Sequence, residues 1–151
     1  IQNSSLRKWN LALLLLLIVQ LLYGALMAGH KAATAAPTWP TINGEWIPEK
    51  LWNDQSLFLN LVNNTVLVHF IHRGLAYLLF VLILIWSLKL FKTNGSDLFR
   101  KIRWWPLAIV LLQLILGIAS VLTSRGIIPG HWGVFEWMAQ LHQLTGMLLL
   151  L

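Results

Sequence analysis

Residues 65–91 read TVLVHFIHRGLAYLLFVLILIWSLKLF, and the fold follows from that stretch. Between Arg73 and Lys89 it holds no charged side chain. A run this long and this apolar crosses a bilayer as a helix, because ~20 residues at ~1.5 Å each cover the hydrocarbon thickness. Backbone polar groups in lipid must be satisfied within the segment, which a helix does. Yet the start of the run carries His69, His72 and Arg73. Titratable side chains inside a membrane are costly and mark function by default.

Three further apolar runs flank it, at residues 9–29, 104–123 and 136–151. The first is dominated by leucine. The third has Pro106 in its first turn, where a missing N–H costs nothing. The fold class expected is all-α: an integral membrane four-helix transmembrane bundle, one domain over residues 1–151 with membrane lipid as its solvent. Composition agrees. The chain is 58% hydrophobic and 11% charged, against roughly 25% charged in a soluble domain, and its mean hydropathy is +0.70. The net charge of +6 does not indicate a nucleic-acid partner, because the basic residues cluster between apolar runs instead of forming a face. With no cysteine, disulfides and thiolate metal sites are excluded from this stretch. The 9–29 run is long enough to be a span and not a signal peptide. The chain opens on Ile1, and its last run stops at Leu151, short of the ~20 residues a crossing takes. A piece of a longer protein is the expectation.

Lysine and arginine orient the spans. Arg7 and Lys8 precede the first, and Lys89, Lys92, Arg100, Lys101 and Arg103 fill the link between the second and third. The loop at residues 30–64 sets Lys31 and Lys50 against Glu45, Glu49 and Asp54, and the link before the fourth span has Arg125 alone. The amino terminus and the 92–103 link therefore face the positive side, and the 30–64 and 124–135 loops face the outer side. Trp9, Trp86, Trp104 and Trp105 mark the inner boundary, and Trp132 and Trp137 the outer one. The outer loop adds Trp39, Trp46 and Trp52, with Pro37, Pro40, Pro48 and Asn43-Gly44 as turn signals. It reads as a structured cap, with a short amphipathic piece around residues 48–59. Gly24, Ala25, Ala28 and Gly29, and Gly117 with Ser120, are small residues that let helices approach closely or leave room for a flat ligand.

The second and fourth spans enter from the same side, so His72 and His142 lie at one depth, roughly 10 Å below the outer boundary at ~1.5 Å per residue. Two imidazoles on different helices at one depth can grip a planar cofactor from both faces. Bis-histidine ligation makes a low-spin haem suited to electron transfer. The bland reading of either histidine alone is a hydrogen bond to a neighbouring helix. His69, three residues before His72 on the same face, is open to the roles of ligand, propionate partner or interfacial residue, and its shallower position favours the wet ones. Arg73 points about 100° from His72 and needs a carboxylate partner or a route to the interface. Arg125 and Lys31 are candidate propionate partners. His30 and His131 read as interfacial. Gln140, Gln143 and Thr145 flank His142, and Gln113 is a buried polar candidate whose bland role is an interhelical hydrogen bond. No hydrolytic constellation stands out.

Five stretches carry a resemblance: Gly24-Ala25-Leu26-Met27-Ala28-Gly29, Ala36-Pro37-Thr38-Trp39-Pro40, Gly44-Glu45-Trp46-Ile47-Pro48, Val68-His69-Phe70-Ile71-His72-Arg73 and Leu141-His142-Gln143-Leu144-Thr145-Gly146. Spread over nearly the whole chain, they resemble the haem A synthase family, and specifically its carboxy-terminal four-helix half. The resemblance implies an eight-helix protein of two similar halves. The amino-terminal half holds the haem O substrate, with an acidic residue near its first histidine. The carboxy-terminal half holds a haem b that relays electrons. His69 stands where the acidic residue would be, which favours the haem b half. By position, His72 and His142 would be the axial ligands of its iron, with His69, Arg73 and Arg125 around the cofactor.

The family reaction oxidises a methyl group of haem O to the formyl of haem A, for cytochrome oxidase assembly. A chain that is one half would need a partner four-helix half, or a homo-oligomer, to meet haem O. The setting implied is a bacterial inner membrane, or a mitochondrial one, with both histidines toward the outer side. Two rival readings remain: a stand-alone membrane b-type cytochrome exchanging electrons with quinone, and a non-redox assembly or scaffold protein whose histidines only bond other helices.

Overall fold

A computed structural model describes residues 4–49 and 51–150. Lys50, counted in the outer loop, and Leu151, the end of the fourth apolar run, lie outside the described residues. Every regular element among the described residues is a helix, with no strand. The elements are α1 (Ser4–Gly29), α2 (Ala32–Ala35), α3 (Leu57–Asn63), α4 (Thr65–Phe91), α5 (Asp97–Ile102), α6 (Trp105–Thr123), a 3₁₀ turn (Ser124–Gly126) and α7 (Val134–Leu148).

Side chains start most of these helices. Asn64 ends α3 and begins α4, its carbonyl accepting from the Val66 and Leu67 N–H groups. Ser56 caps α3 and Ser96 caps α5, each through the N–H three residues on. Pro106 falls in the first turn of α6. At α7 the Glu136 carboxylate accepts from the Gly133 N–H at 2.8 Å, which satisfies an orphan donor and puts negative charge at the positive end of the helix dipole.

Three stretches are long and apolar enough to cross a membrane: Leu6–Gly29, Thr65–Phe91 and Asp97–Gly126. The chain is a multi-pass membrane protein. α7 has 15 residues, fewer than the ~20 of a full crossing.

The helices pack as two pairs. α1 lies along α4, α6 lies along α7, and an α4–α6 contact joins them. The inner part of the bundle is apolar, with Leu13, Leu17, Leu79, Ile83 and Val110 at its centre. Many leucines point outward, Leu11, Leu15, Leu22 and Leu88 among them. In water such a surface would drive association; in lipid it is the low-energy face. Near the basic link, Phe91 packs on Trp104 with centroids 4.0 Å apart, Lys89 lies over the Trp9 ring, and Arg100 pairs with Asp97.

The outer loop is ordered, as its tryptophans and prolines imply. Asn43 and Gly44 both take positive φ, 52° and 97°, the conformation of a type I′ turn. They close the Ile42–Glu45 bridge. Asn60, 1% exposed, is a hub: its amide donates to the carbonyls of Asn53, Gln55 and Ser56, and its oxygen accepts from the Asn53 N–H and the Asn64 amide. The short helix expected around residues 48–59 forms later, at Leu57–Asn63, because Ser56 supplies the cap. A second short helix, α2, wedges against α1, α4 and α6. The Ser124 hydroxyl donates to the Ala33 carbonyl and fastens that wedge.

Candidate functional site: a facing histidine pair

The two-pair packing brings α4 and α7 to opposite sides of one space. His72 on α4 and His142 on α7 face each other there, with ring centroids 6.3 Å apart and planes at 78°. Each ring has a backing helix. On α6, the Gln113 backbone carbonyl accepts from His142 Nδ1 at 3.0 Å, and the Gln113 side-chain nitrogen lies 3.4 Å from His142 Nε2. On α1, the Gln20 side-chain nitrogen lies 3.4 Å from His72 Nε2.

Three buried polar atoms here have no hydrogen-bond partner: His72 Nδ1, Gln20 Oε1 and Gln113 Oε1. Glycines face the rings from the same backing helices. A Cβ added at Gly117 would stand 3.0 Å from His142 Cε1, and one at Gly24 would stand 3.5 Å from His72 Cε1.

The arrangement suits an iron held from two faces. A metal–imidazole bond of about 2.0 Å on each side, plus the ring radius, sets collinear centroids about 6 Å apart, and the observed spacing meets that. Among the described residues no group of three or more His, Cys, Asp or Glu side chains converges. The site thus offers two nitrogen ligands, the number a porphyrin iron takes axially, and no cage for a bare ion. Oriented imidazoles with a backbone carbonyl behind one of them are what a metal-ligating histidine requires.

The sequence matches the family model described as cytochrome oxidase assembly protein, COX15-CtaA, over residues 2–151. The chain belongs to this family. Its relatives include proteins named Heme A synthase. The one from Rhodopseudomonas palustris (strain BisA53) is 39% identical over 113 residues, covering 74% of this chain and 31% of that protein. The one from a Wolbachia pipientis of Culex pipiens is 38% identical over 120 residues, covering 80% and 34%. The one from Beijerinckia indica is 37% identical over 145 residues, covering 94% and 38%. The chain spans about a third of the length of the curated relatives it matches. No solved structure matches it.

In this family member the other candidate residues take distinct places. His69 is 1% exposed, and its Nε2 accepts from the Arg73 guanidinium at 2.9 Å, so that nitrogen is already engaged. Arg73 also donates to the carbonyls of Thr38, Pro40 and Thr41. The half-buried cation is thereby matched to three backbone dipoles, and it clips the outer loop to α4. Trp39 Nε1 donates to Tyr77 Oη one turn further along. His30 Nε2 bonds the Val62 carbonyl at 2.7 Å and joins the end of α1 to α3. Arg125 is exposed in the 3₁₀ turn, without a hydrogen-bond or ion-pair partner among the described residues, and His131 is exposed in the following loop.

Sequence reading passed over Gln20. The signal was present: Gln20-x-x-x-Gly24 on α1 and Gln113-x-x-x-Gly117 on α6 repeat one spacing, and each backs one histidine.

Proposed function

We propose that this chain acts in haem A synthesis as the haem b-binding, electron-relay half of a haem A synthase. The observation that carries the proposal is the facing pair, His72 on α4 and His142 on α7, at a centroid spacing that fits one iron between them. Relatives named Heme A synthase support the reaction class. In this reading α7 is the outer part of a fourth crossing, and the histidines lie toward the outer side of a bacterial inner membrane. The basic residues of the 92–103 link favour that orientation.

His72 and His142 would hold the haem iron through their ring nitrogens. Gln113 holds the His142 ring through its backbone carbonyl. Apolar residues of the two helix pairs exclude water. Arg73 keeps the 38–41 segment against α4, and Arg125 would meet a cofactor carboxylate. Bound haem b supplies a one-electron couple. The oxidation of the haem O methyl belongs to a partner four-helix half or a second copy of the chain.

The test is a reduced-minus-oxidised absorption spectrum of the purified chain with haem supplied, beside three variants. A sharp low-spin b-type spectrum near one haem per chain is expected. His72→Ala and His142→Ala should abolish or convert it, and His131→Ala should leave it intact. A folded chain that stays colourless, or equal losses in all three variants, refutes the reading. Haem A formation only when the substrate-binding half is present separates a synthase half from a stand-alone cytochrome.

A further inference from the structure

The two glutamines behind the histidines are not explained by packing. Each sits in an apolar helix, and each leaves its Oε1 buried without a donor. An unsatisfied buried acceptor costs about 1–3 kcal/mol, so a leucine at either position would make a cheaper helix interface. What each glutamine does make is one contact, from its amide nitrogen to a histidine Nε2, at 3.4 Å in both cases. At that length neither contact contributes much energy. Its content is directional.

Consider His142 first. Its Nδ1 faces the Gln113 backbone carbonyl at 3.0 Å, and a carbonyl only accepts, so Nδ1 carries the proton. A neutral imidazole that donates from Nδ1 keeps its lone pair on Nε2. Only an N–H can face that lone pair, and the Gln113 amide does. One residue therefore brackets both ring nitrogens. His72 has the same amide contact, from Gln20, but its Nδ1 has no hydrogen-bond partner. The Gln20 backbone also bears on this ring, but without a full hydrogen bond, so the Gln20 amide selects the tautomer with weaker backbone help than His142 has. Four residues on from each glutamine, Gly24 and Gly117 leave space for the ring edge.

We propose that Gln20 and Gln113 are paired positioning residues: in the empty site each presents an amide N–H that selects the histidine tautomer with its lone pair on Nε2, and each weak contact gives way when that nitrogen takes the iron, so that both rings would offer the same nitrogen. The inference rests on the haem-ligating reading of the pair. The two glutamines are unequal in weight. At His72 the Gln20 side chain has only a weak backbone interaction beside it, whereas at His142 the Gln113 side chain is backed by a full hydrogen bond to its own carbonyl.

The test uses Gln20→Met and Gln113→Met, which keep volume and lose the amide, with Leu22→Met on the lipid face of α1 as control. Haem is titrated into each purified chain, and the low-spin electron paramagnetic resonance signal is recorded, since that signal follows ring orientation and not fold stability. A ring that holds the binding-competent tautomer only part of the time binds more weakly by that fraction. Gln20→Met should weaken haem binding severalfold and split or broaden the signal. Gln113→Met should do so less, and Leu22→Met not at all. Affinities and signals equal to wild type in both glutamine variants overturn the proposal, as does a larger effect at Gln113 than at Gln20.

Nitrogen-15 spectra of histidine-labelled wild-type chain, purified without haem, read the tautomers with no substitution. An unprotonated Nε2 on both rings is expected, and a protonated Nε2 on either overturns the proposal. A wild-type chain that takes no haem defeats the ligand reading, while these spectra still decide the tautomers.

Discussion

Gly117→Ala is the sharpest probe of the ring seat. The new Cβ would stand 3.0 Å from His142 Cε1, 3.4 Å from Nδ1 and 3.6 Å from Nε2. The first of these is tighter than an ordinary carbon contact, so the ring must give by a few tenths of an ångström. The ring's bonds resist that. The Nδ1 bond to the Gln113 carbonyl is 3.0 Å long, and such a retreat would stretch it toward the limit of a real hydrogen bond. If the ring also holds iron as proposed, an iron–nitrogen bond would tolerate only about 0.2 Å. The ring would then lose its anchor, its metal bond, or both, and haem affinity should fall about 10- to 100-fold. The helix itself does not suffer, since alanine in place of an interior glycine favours a helix by about 0.5–1 kcal/mol.

The assay is a Soret titration with the electron paramagnetic resonance signal alongside, and thermal unfolding to show that the bundle holds. Gly24→Ala is the matched control. Its Cβ would meet His72 Cε1 at 3.5 Å, an ordinary contact, and its haem binding should equal wild type. Wild-type behaviour in Gly117→Ala, or equal loss in both variants, would refute the seat argument.

Arg73→Met removes the donor to three loop carbonyls and to His69. Charge-assisted bonds contribute about 1.5–3 kcal/mol each but share one side chain here, so a loss of about 3 kcal/mol is expected, read by thermal unfolding and by faster protease cleavage within residues 38–49. Asn64→Ala deletes the α4 cap and the bond from its amide to the Leu51 carbonyl; about 1–2 kcal/mol should be lost in the same unfolding assay. Arg125→Ala, at an exposed position without a protein partner, should leave stability within about 0.5 kcal/mol while lowering haem retention; unchanged retention removes Arg125 from the site. Near-perpendicular axial rings make two iron d orbitals almost degenerate, so the 78° between His72 and His142 should appear as one large-g signal. A rhombic three-line spectrum, which parallel planes give, would contradict that ring arrangement.

The common level of His72 and His142 was legible in the sequence, and azimuth was not. Residue spacing along an apolar run sets how far His72 and His142 lie below a boundary, because a helix rises by a fixed step. Whether they face each other depends on how four helices turn about their axes, and that is settled by packing. Beyond Arg73, α4 is apolar almost all round, and its contacts with α1, α2, α3 and α6 fix which side looks inward. The ordered outer loop could be foreseen from Asn43-Gly44 and its prolines, since turn chemistry is local. The Arg73 clip could not, because its acceptors are backbone carbonyls more than thirty positions away, and every residue type carries a carbonyl.

The two-pair packing explains why a helix with no histidine can control a histidine site. α1 carries neither ligand, yet it supplies Gln20 and Gly24 to the His72 ring, as α6 supplies Gln113 and Gly117 to the His142 ring. Each ligand helix is thus oriented within its own pair, and the distance between rings is set where the pairs meet, at α4 and α6. A change inside one pair should tilt one ring and leave the spacing alone. A change on the α4–α6 seam should alter the spacing and leave both rings in their seats. The repeat and the His72–His142 geometry therefore test different layers of one structure: a signal that splits points to a backing helix, and a haem that dissociates with an unsplit signal points to the seam.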